Sequence, residues 1–200
     1  AKNFRDVAGE GSGIAVAGGR MRRNMVFRSS GLGAISKMDR YILQTLGVRT
    51  TIALSGATLP SIPGISRVRY GIVNGSARTL AEKQRMYRNY VANSANRKSV
   101  GNALNLIADT DKPVVFQCLK GWDRSGWVAA VLQDVLGASS SDIRAEFLKS
   151  NQYNGPGVKR EYLDAALGEM KSRYGSVERY VSACGVDSAA RSMLRKKLID

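Results

Sequence analysis

The fold class this sequence predicts is a single mixed α/β domain over residues 1–200, with a central sheet flanked by helices and a helical C-terminal portion. Three observations predict it. Short β-branched or apolar runs alternate with stretches of helical spacing through the first three quarters of the chain. Beyond Asn154-Gly155-Pro156-Gly157 only helical spacing continues. The 200 residues are 44% apolar and 24% charged with 4 Pro, and they contain no internal repeat and no linker-like segment, which is the composition of one packed core.

The elements follow in order. Residues 8–19 concentrate glycine without a phosphate-loop pattern and are read as a flexible loop or turn. Met25 to Arg28 is a short strand. Ser36 then caps a helix whose Met38, Tyr41, Ile42 and Leu46 share a face, and Gly47 stops it. Val48 to Leu54 is β-branched and reads as a buried strand; Pro60 and Pro63 break the chain before a further strand over Ile65 to Val73. Two helices are predicted next, one from Leu80, Tyr87 and Val91 and one from Val100, Ala103, Leu104 and Ile107. Val114-Val115-Phe116 is an apolar strand running into a Cys-containing loop, after which Trp127 to Leu136 is an apolar helix ended by Gly137. Ser139 to Ser141 cap another helix, with Ile143, Phe147 and Leu148 inward.

Composition excludes several chemistries. With no His, imidazole-activated nucleophiles, His-ligated zinc and haem are out of reach, and two cysteines, Cys118 and Cys184, cannot build a Cys-rich metal site. No metal or organic cofactor is expected. The net charge of +15 is uneven: residues 1–100 hold 17 basic and 4 acidic side chains, residues 101–200 hold 14 and 12. That field serves either solubility or an anionic partner such as a phosphate ester, an acidic membrane surface or nucleic acid. Nucleic acid is disfavoured because neither an aromatic-basic strand signature nor a Cys/His finger is present. No run approaches the ~18 apolar residues of a membrane span. Ala1 in place of an initiator Met suggests an exported, trimmed chain over a cytoplasmic one, with simple Met removal the alternative.

The segment that carries chemistry is Cys118-Leu119-Lys120-Gly121-Trp122-Asp123-Arg124-Ser125-Gly126, placed where a buried strand ends and a helix begins. A phosphate suits that junction. Backbone N–H groups of the intervening loop can converge on it, the helix N-terminus adds positive potential, and the Arg124 guanidinium offers two parallel bonds to phosphoryl oxygens; Leu119, Lys120, Gly121, Trp122 and Gly126 are the candidate substrate-binding residues. The same potential favours a thiolate, so Cys118 can serve as nucleophile without histidine. Gly121 permits the close backbone approach a cradle requires.

This segment resembles the signature loop of cysteine-dependent protein tyrosine and dual-specificity phosphatases. Asn3-Phe4-Arg5-Asp6 resembles the opening motif of the bacterial branch of that family, Phe27-Arg28-Ser29-Ser30 its Tyr-Arg-Ser element, and Tyr174-Gly175-Ser176-Val177 with Tyr180 its C-terminal stretch. Gly121-Trp122-Asp123-Arg124 is also similar to the loop of myotubularin phosphoinositide phosphatases. The resemblance implies a protein tyrosine phosphatase-like fold, Cys118 as nucleophile, Arg124 as phosphate clamp and Ser125 as the hydroxyl that eases departure of the thiolate. It implies phosphotyrosine proteins or phosphoinositides as substrates, and relatives of the bacterial branch are often exported. The sequence departs from the family at Gln117, where His is usual, at Trp122, where Lys is common, and at Ala53-Leu54-Ser55, where Asp-Leu-Arg is usual.

Between residues 40 and 108 the only carboxylate is Glu82, so a mobile upstream Asp is not available as general acid. The similar myotubularin loops imply that role for Asp123; the alternative is that Asp123 orients Arg124 or loop amides, with Glu82 and Asp6 as further candidates for the acid. Lys120 points either at a substrate anion or to solvent. Cys184 is read as core, and Arg20, Arg22, Arg23 and Arg28 as a phosphate-facing patch or a solvated face. The function expected is a phosphomonoesterase working through phosphocysteine, with a catalytically silent phosphate-binding module as the alternative.

Overall fold

The computed structural model describes residues 1–56 and 58–200. Its centre is a five-stranded sheet in the order β1 (Arg5–Asp6), β4 (Val26–Ser29), β7 (Val114–Gln117), β5 (Thr50–Ala53), β6 (Ser66–Arg69). β1 runs antiparallel to β4, and the other neighbours are parallel. β7 is central and buried on both faces, as its uninterrupted Val-Val-Phe run requires. Side-chain alternation sorts the two faces: Val114 and Phe116 join the larger cluster with Val26 and Ile52, whereas Val115 joins the smaller one with Phe27. Cys118 continues the Val114–Phe116 side and sits in the larger cluster.

The larger face is covered by helices. α2 (Leu80–Ala92) and α3 (Ser94–Asp109) precede β7; α4 (Asp123–Leu136) and α5 (Ser140–Leu148) follow it. The chain continues through α6 (Ser150–Asn154), α7 (Arg160–Tyr174), α8 (Val177–Ala183) and α9 (Ser188–Leu198), which is the helical C-terminal portion. α4 is buried along nearly its whole length, and Gly137 at φ +86° closes it in the left-handed conformation.

Several expectations are corrected. The glycine-rich stretch is not a loose loop but folds into a small hairpin of β2 (Ala15–Val16) and β3 (Gly19–Arg20). α1 (Lys37–Thr45) has the Ser36 cap, reinforced by Asp39 in a capping box, yet its apolar face is in solvent: Met38 and Tyr41 are 64% exposed, and Leu43 alone is buried. Leu32, Ile35, Ile62 and Ile65 already fill that side of the sheet, so one side chain from α1 completes it. β6 ends at Arg69, although Tyr70 and Ile72 still donate to Ala53 and Leu54. α4 begins at Asp123 rather than Trp127, which places Arg124 and Ser125 in its first turn.

The basic cluster is dispersed. Arg20 donates to the Gly13 carbonyl, Arg22 pairs with Asp200, Arg23 lies 3.8 Å from Asp6, and Arg28 is fully buried. Both cysteines are unpaired; burial pushes the Cys184 thiol up to about 12, in keeping with a core residue.

Candidate active site

The loop between β7 and α4 has its carbonyls tied down from outside. Leu119 O accepts from Gly31 N (3.2 Å), and Lys120 O from Asn3 Nδ2 (3.2 Å) and Asn154 Nδ2 (3.3 Å). Gly121 O accepts from Asn3 Nδ2 (2.9 Å) and Arg28 Nη2 (2.7 Å), and the same Nη2 reaches Trp122 O at 3.2 Å. A peptide whose C=O is held outward turns its N–H inward, so the outward bonds shape an inward-facing set of donors. Gly121 adopts φ +67°, and a Cβ there would lie 2.7 Å from Ser29 C and Ser30 N. Any side chain would push the loop off the β4 end that holds it.

The clamp on those carbonyls is itself braced by a buried ion triad. Arg28 Nη1 and Arg5 Nε each meet one oxygen of Glu146 at 2.7 Å, and Arg5 Nη2 also donates to Ser150 Oγ (3.0 Å) and Glu146 O (3.1 Å). Burial pushes the Glu146 carboxyl up, but Arg28 and Arg5 more than cancel this and hold it below its ordinary value. Burial, then Arg28, lowers Arg5 to about 10.

Glu146→Gln is therefore expected to leave two buried guanidiniums without a counter-charge and to cost about 3–5 kcal/mol at pH 7, measured by urea unfolding. Because the folded carboxyl titrates below its ordinary value, this stabilisation is complete above that value and fades as pH falls through the folded one. The gap between wild type and variant should close in that acid window; a gap that persists below it assigns the loss to packing.

Within the cradle, a cavity of about 190 Å³ is lined by Asn74, Lys83, Cys118, Leu119, Lys120, Trp122, Asp123 and Arg124. Cys118 lies at its base, 2% exposed. Arg124 donates from Nη1 to Ile72 O at 3.4 Å, while its buried Nε and the buried Ser125 Oγ have no partner among the described residues. Both are donors, the kind of group with which an anion above Cys118 would bond. Gly126 lies behind the cavity, where a Cβ would meet the Phe147 ring at 2.7 Å. Leu119 stands at the rim, 67% exposed, and Lys120 Nζ is 4.5 Å from the centre of the Trp122 ring.

Asp123 faces α2. Its Oδ1 accepts from Tyr87 Oη at 2.8 Å, and its Oδ2 is 3.4 Å from Lys83 Nζ. Burial, then Asp123, pushes the Tyr87 hydroxyl well above its ordinary value, so Tyr87 remains a donor. No bond joins Asp123 to Arg124 or to a loop amide among the described residues.

The structure thus brings Cys118, Leu119, Lys120, Trp122, Asp123 and Arg124 around one cavity, with Gly121, Ser125 and Gly126 shaping and backing it. It takes the other carboxylates elsewhere. Glu82 caps α2, accepting from Arg78 N and Thr79 N, and Asp6 accepts from Ala8 N and Asn24 N. Gln117 is fully buried, and neither amide atom has a partner among the described residues. Sequence reasoning missed Asn74, Lys83, Tyr87 and Glu146 as parts of the site. Tyr87 was legible only as an apolar-face residue, and Lys83, one turn before it, carried the signal of sharing that face.

The sequence signature of the tyrosine phosphatase family matches residues 1–200, from the first strand to the last helix. The chain belongs to the tyrosine phosphatase family. A Cupriavidus necator protein assigned as a tyrosine-protein phosphatase is 28% identical over 94% of this chain and 83% of its own length. The triple specificity protein phosphatase PtpB of Mycobacterium tuberculosis is 23% identical over 98% of this chain and 96% of its own. Among solved structures, the core catalytic domain of the PP-IP phosphatase Siw14 of S. cerevisiae aligns with a TM-score of 0.50 at 14% identity, covering 87% of this chain and 93% of that one. That likeness shows a shared phosphatase fold with a central sheet and flanking helices.

Proposed function

We propose that this family member hydrolyses phosphomonoesters, of phosphotyrosine proteins or of phosphoinositides, through a phosphocysteine intermediate. The observation that carries the reading is the placement of Cys118 at the base of a cavity whose loop carbonyls are bonded outward and whose Arg124 Nε and Ser125 Oγ lack acceptors. In the first step the Cys118 thiolate attacks phosphorus, the P–O bond breaks toward the leaving oxygen, and Asp123 gives that oxygen a proton. Arg124 and the loop N–H groups hold the three non-bridging oxygens as charge develops on them. In the second step Asp123 takes a proton from water as water attacks phosphorus, and Ser125 Oγ donates to the departing sulfur.

The likeness of residues 3–6 and 27–30 to the bacterial branch supports this, since Asn3, Arg5 and Arg28 in those motifs are the residues that hold the loop and its brace. The names of the relatives favour protein substrates; the Gly121-Trp122-Asp123-Arg124 likeness to myotubularins favours lipid ones. An anionic membrane surface is the partner that the basic first half of the chain would meet in the second case.

The test is acid quenching during turnover of p-nitrophenyl phosphate, phosphotyrosine peptide and phosphoinositide in parallel, with mass spectrometry of the Cys118 peptide and assay of released phosphate. A phosphoryl group on Cys118 with phosphate release is expected. The partnerless Gln117 amide, standing where relatives carry His, favours a second reading, a phosphate-binding module. Vanadate binding without either signal would establish it and reject hydrolysis.

A further inference from the structure

Lys83 is a cation of the same cavity that the reaction above leaves unused. It projects from α2, 36 residues upstream of the loop's Leu119, and lines the cavity with Cys118 and Arg124. Its side chain is 21% exposed, and its one carboxylate neighbour among the described residues is Asp123, at 3.4 Å. The Tyr162 ring lies 5.9 Å away. A contact of 3.4 Å is long for a charge-assisted bond, so the ammonium is held loosely and keeps donors for another anion. Its position also interferes with the acid. An oxygen that carries a proton to a leaving group has to turn its O–H toward that group, whereas Oδ2 faces Lys83 and Oδ1 accepts from Tyr87 Oη.

We propose that Lys83 binds a second phosphate carried by the substrate next to the scissile one, and that its transfer to that phosphate frees Asp123 Oδ2 to bear the transferable proton. The substrate class is then a vicinal bisphosphate. This rests on the phosphatase reading above and assigns its substrate chemistry. Lys83 and Arg124 line one cavity together with Cys118, so a phosphate held by Lys83 sits close to the scissile one, as two phosphates on adjacent carbons do. Lys120 does not replace Lys83 in this role, because it is stacked on the Trp122 ring and Asp123 has no bond to it. The chemistry of the step is unchanged. The thiolate pair forms the S–P bond, the P–O pair passes to the leaving oxygen, and that oxygen takes the Asp123 proton; the second phosphate is a spectator that holds Lys83.

A vicinal bisphosphate occurs as a free cyclitol phosphate or as a lipid headgroup, and the experiment separates them. kcat and KM are measured for a soluble inositol 3,4-bisphosphate against inositol 3-phosphate, for the same pair as short-chain phosphatidylinositols, and for phosphotyrosine peptides with and without a flanking phosphoserine. Affinities are measured in parallel on Cys118→Ser, which reports binding without turnover. For wild type the ratio of kcat/KM, bisphosphate over monophosphate, is expected to be about tenfold to a hundredfold, the worth of one charge-assisted hydrogen bond. Lys83→Met should bring that ratio to near one, and Lys83→Arg should retain part of it. In Asp123→Asn the preference should survive in KM and vanish from kcat, which a purely structural role for Lys83 would not produce.

A larger effect in the lipid pair names the headgroup as the source, and a larger effect in the soluble pair names the free cyclitol; both support the proposal. A wild-type ratio near one, or a ratio that Lys83→Met leaves unchanged, overturns it while leaving the phosphatase reading intact. So does a Lys83-dependent ratio confined to the peptide pair. Should no substrate turn over, the hydrolytic reading fails, and the Cys118→Ser affinities still decide this proposal by the same ratio.

Discussion

Replacing Cys118 by Ser is expected to lower turnover by on the order of 10⁴-fold or more while vanadate still binds, because the hydroxyl is far less acidic than a thiol and a poor nucleophile without a base beside it. The cradle does not depend on sulfur. Its shape comes from Asn3, Arg28 and Gly31 holding the carbonyls of residues 119–122, and these bonds are independent of the side chain at 118. Isothermal titration with vanadate and a phosphate-release assay on the same preparation check both halves. Turnover at the wild-type rate would reject the covalent mechanism; lost vanadate binding with an unchanged melting temperature would mean that the thiolate itself holds the anion.

The second large effect is expected at Asp123. Asp123→Asn slows substrates with poor leaving groups by on the order of 10²–10⁴-fold and slows aryl phosphates of acidic phenols far less, because a good leaving oxygen departs without a proton. A leaving-group series from nitrophenyl to alkyl phosphates, with kcat/KM as readout, measures it. Asn keeps the shape and can still accept from Tyr87 Oη, so loop geometry is preserved. An equal loss across the series would make Asp123 a residue that fixes the start of α4, and a steep series in Glu82→Gln would contradict the observation that Glu82 caps α2 from outside the cavity.

Much of the fold was legible because its signals are local. The Val114-Val115-Phe116 run can only be a buried strand, Gly137 and Ser36 mark helix ends through backbone chemistry, and the i, i+3, i+4, i+7 spacing of Val100, Ala103, Leu104 and Ile107 defines a buried helix face. The site loop was legible for the same reason, since its cysteine, arginine and glycine lie within seven residues at a strand-to-helix turn, although the shape of that turn depends on Asn3, Arg28 and Gly31. The apolar stripe of α1 misled, because amphipathicity states that a face prefers burial and not that the fold supplies a partner for it.

By itself, then, the sequence determined a mixed α/β layer order and a loop carrying Cys118 and Arg124 between the central strand and the helix after it, both consequences of periodicity and of backbone chemistry acting over a few residues. Only the tertiary structure decided what surrounds that loop. Arg28 sits in a motif read as part of a surface patch, yet a fully buried guanidinium is stable only beside a buried counter-charge, and that charge, Glu146, is 118 positions away. Asp123 turns toward Tyr87 and Lys83 rather than toward its own neighbour Arg124 because the fold brings these two α2 side chains to the first residue of α4. Such pairings are set by which elements meet in space, and residue spacing along the chain carries no record of them.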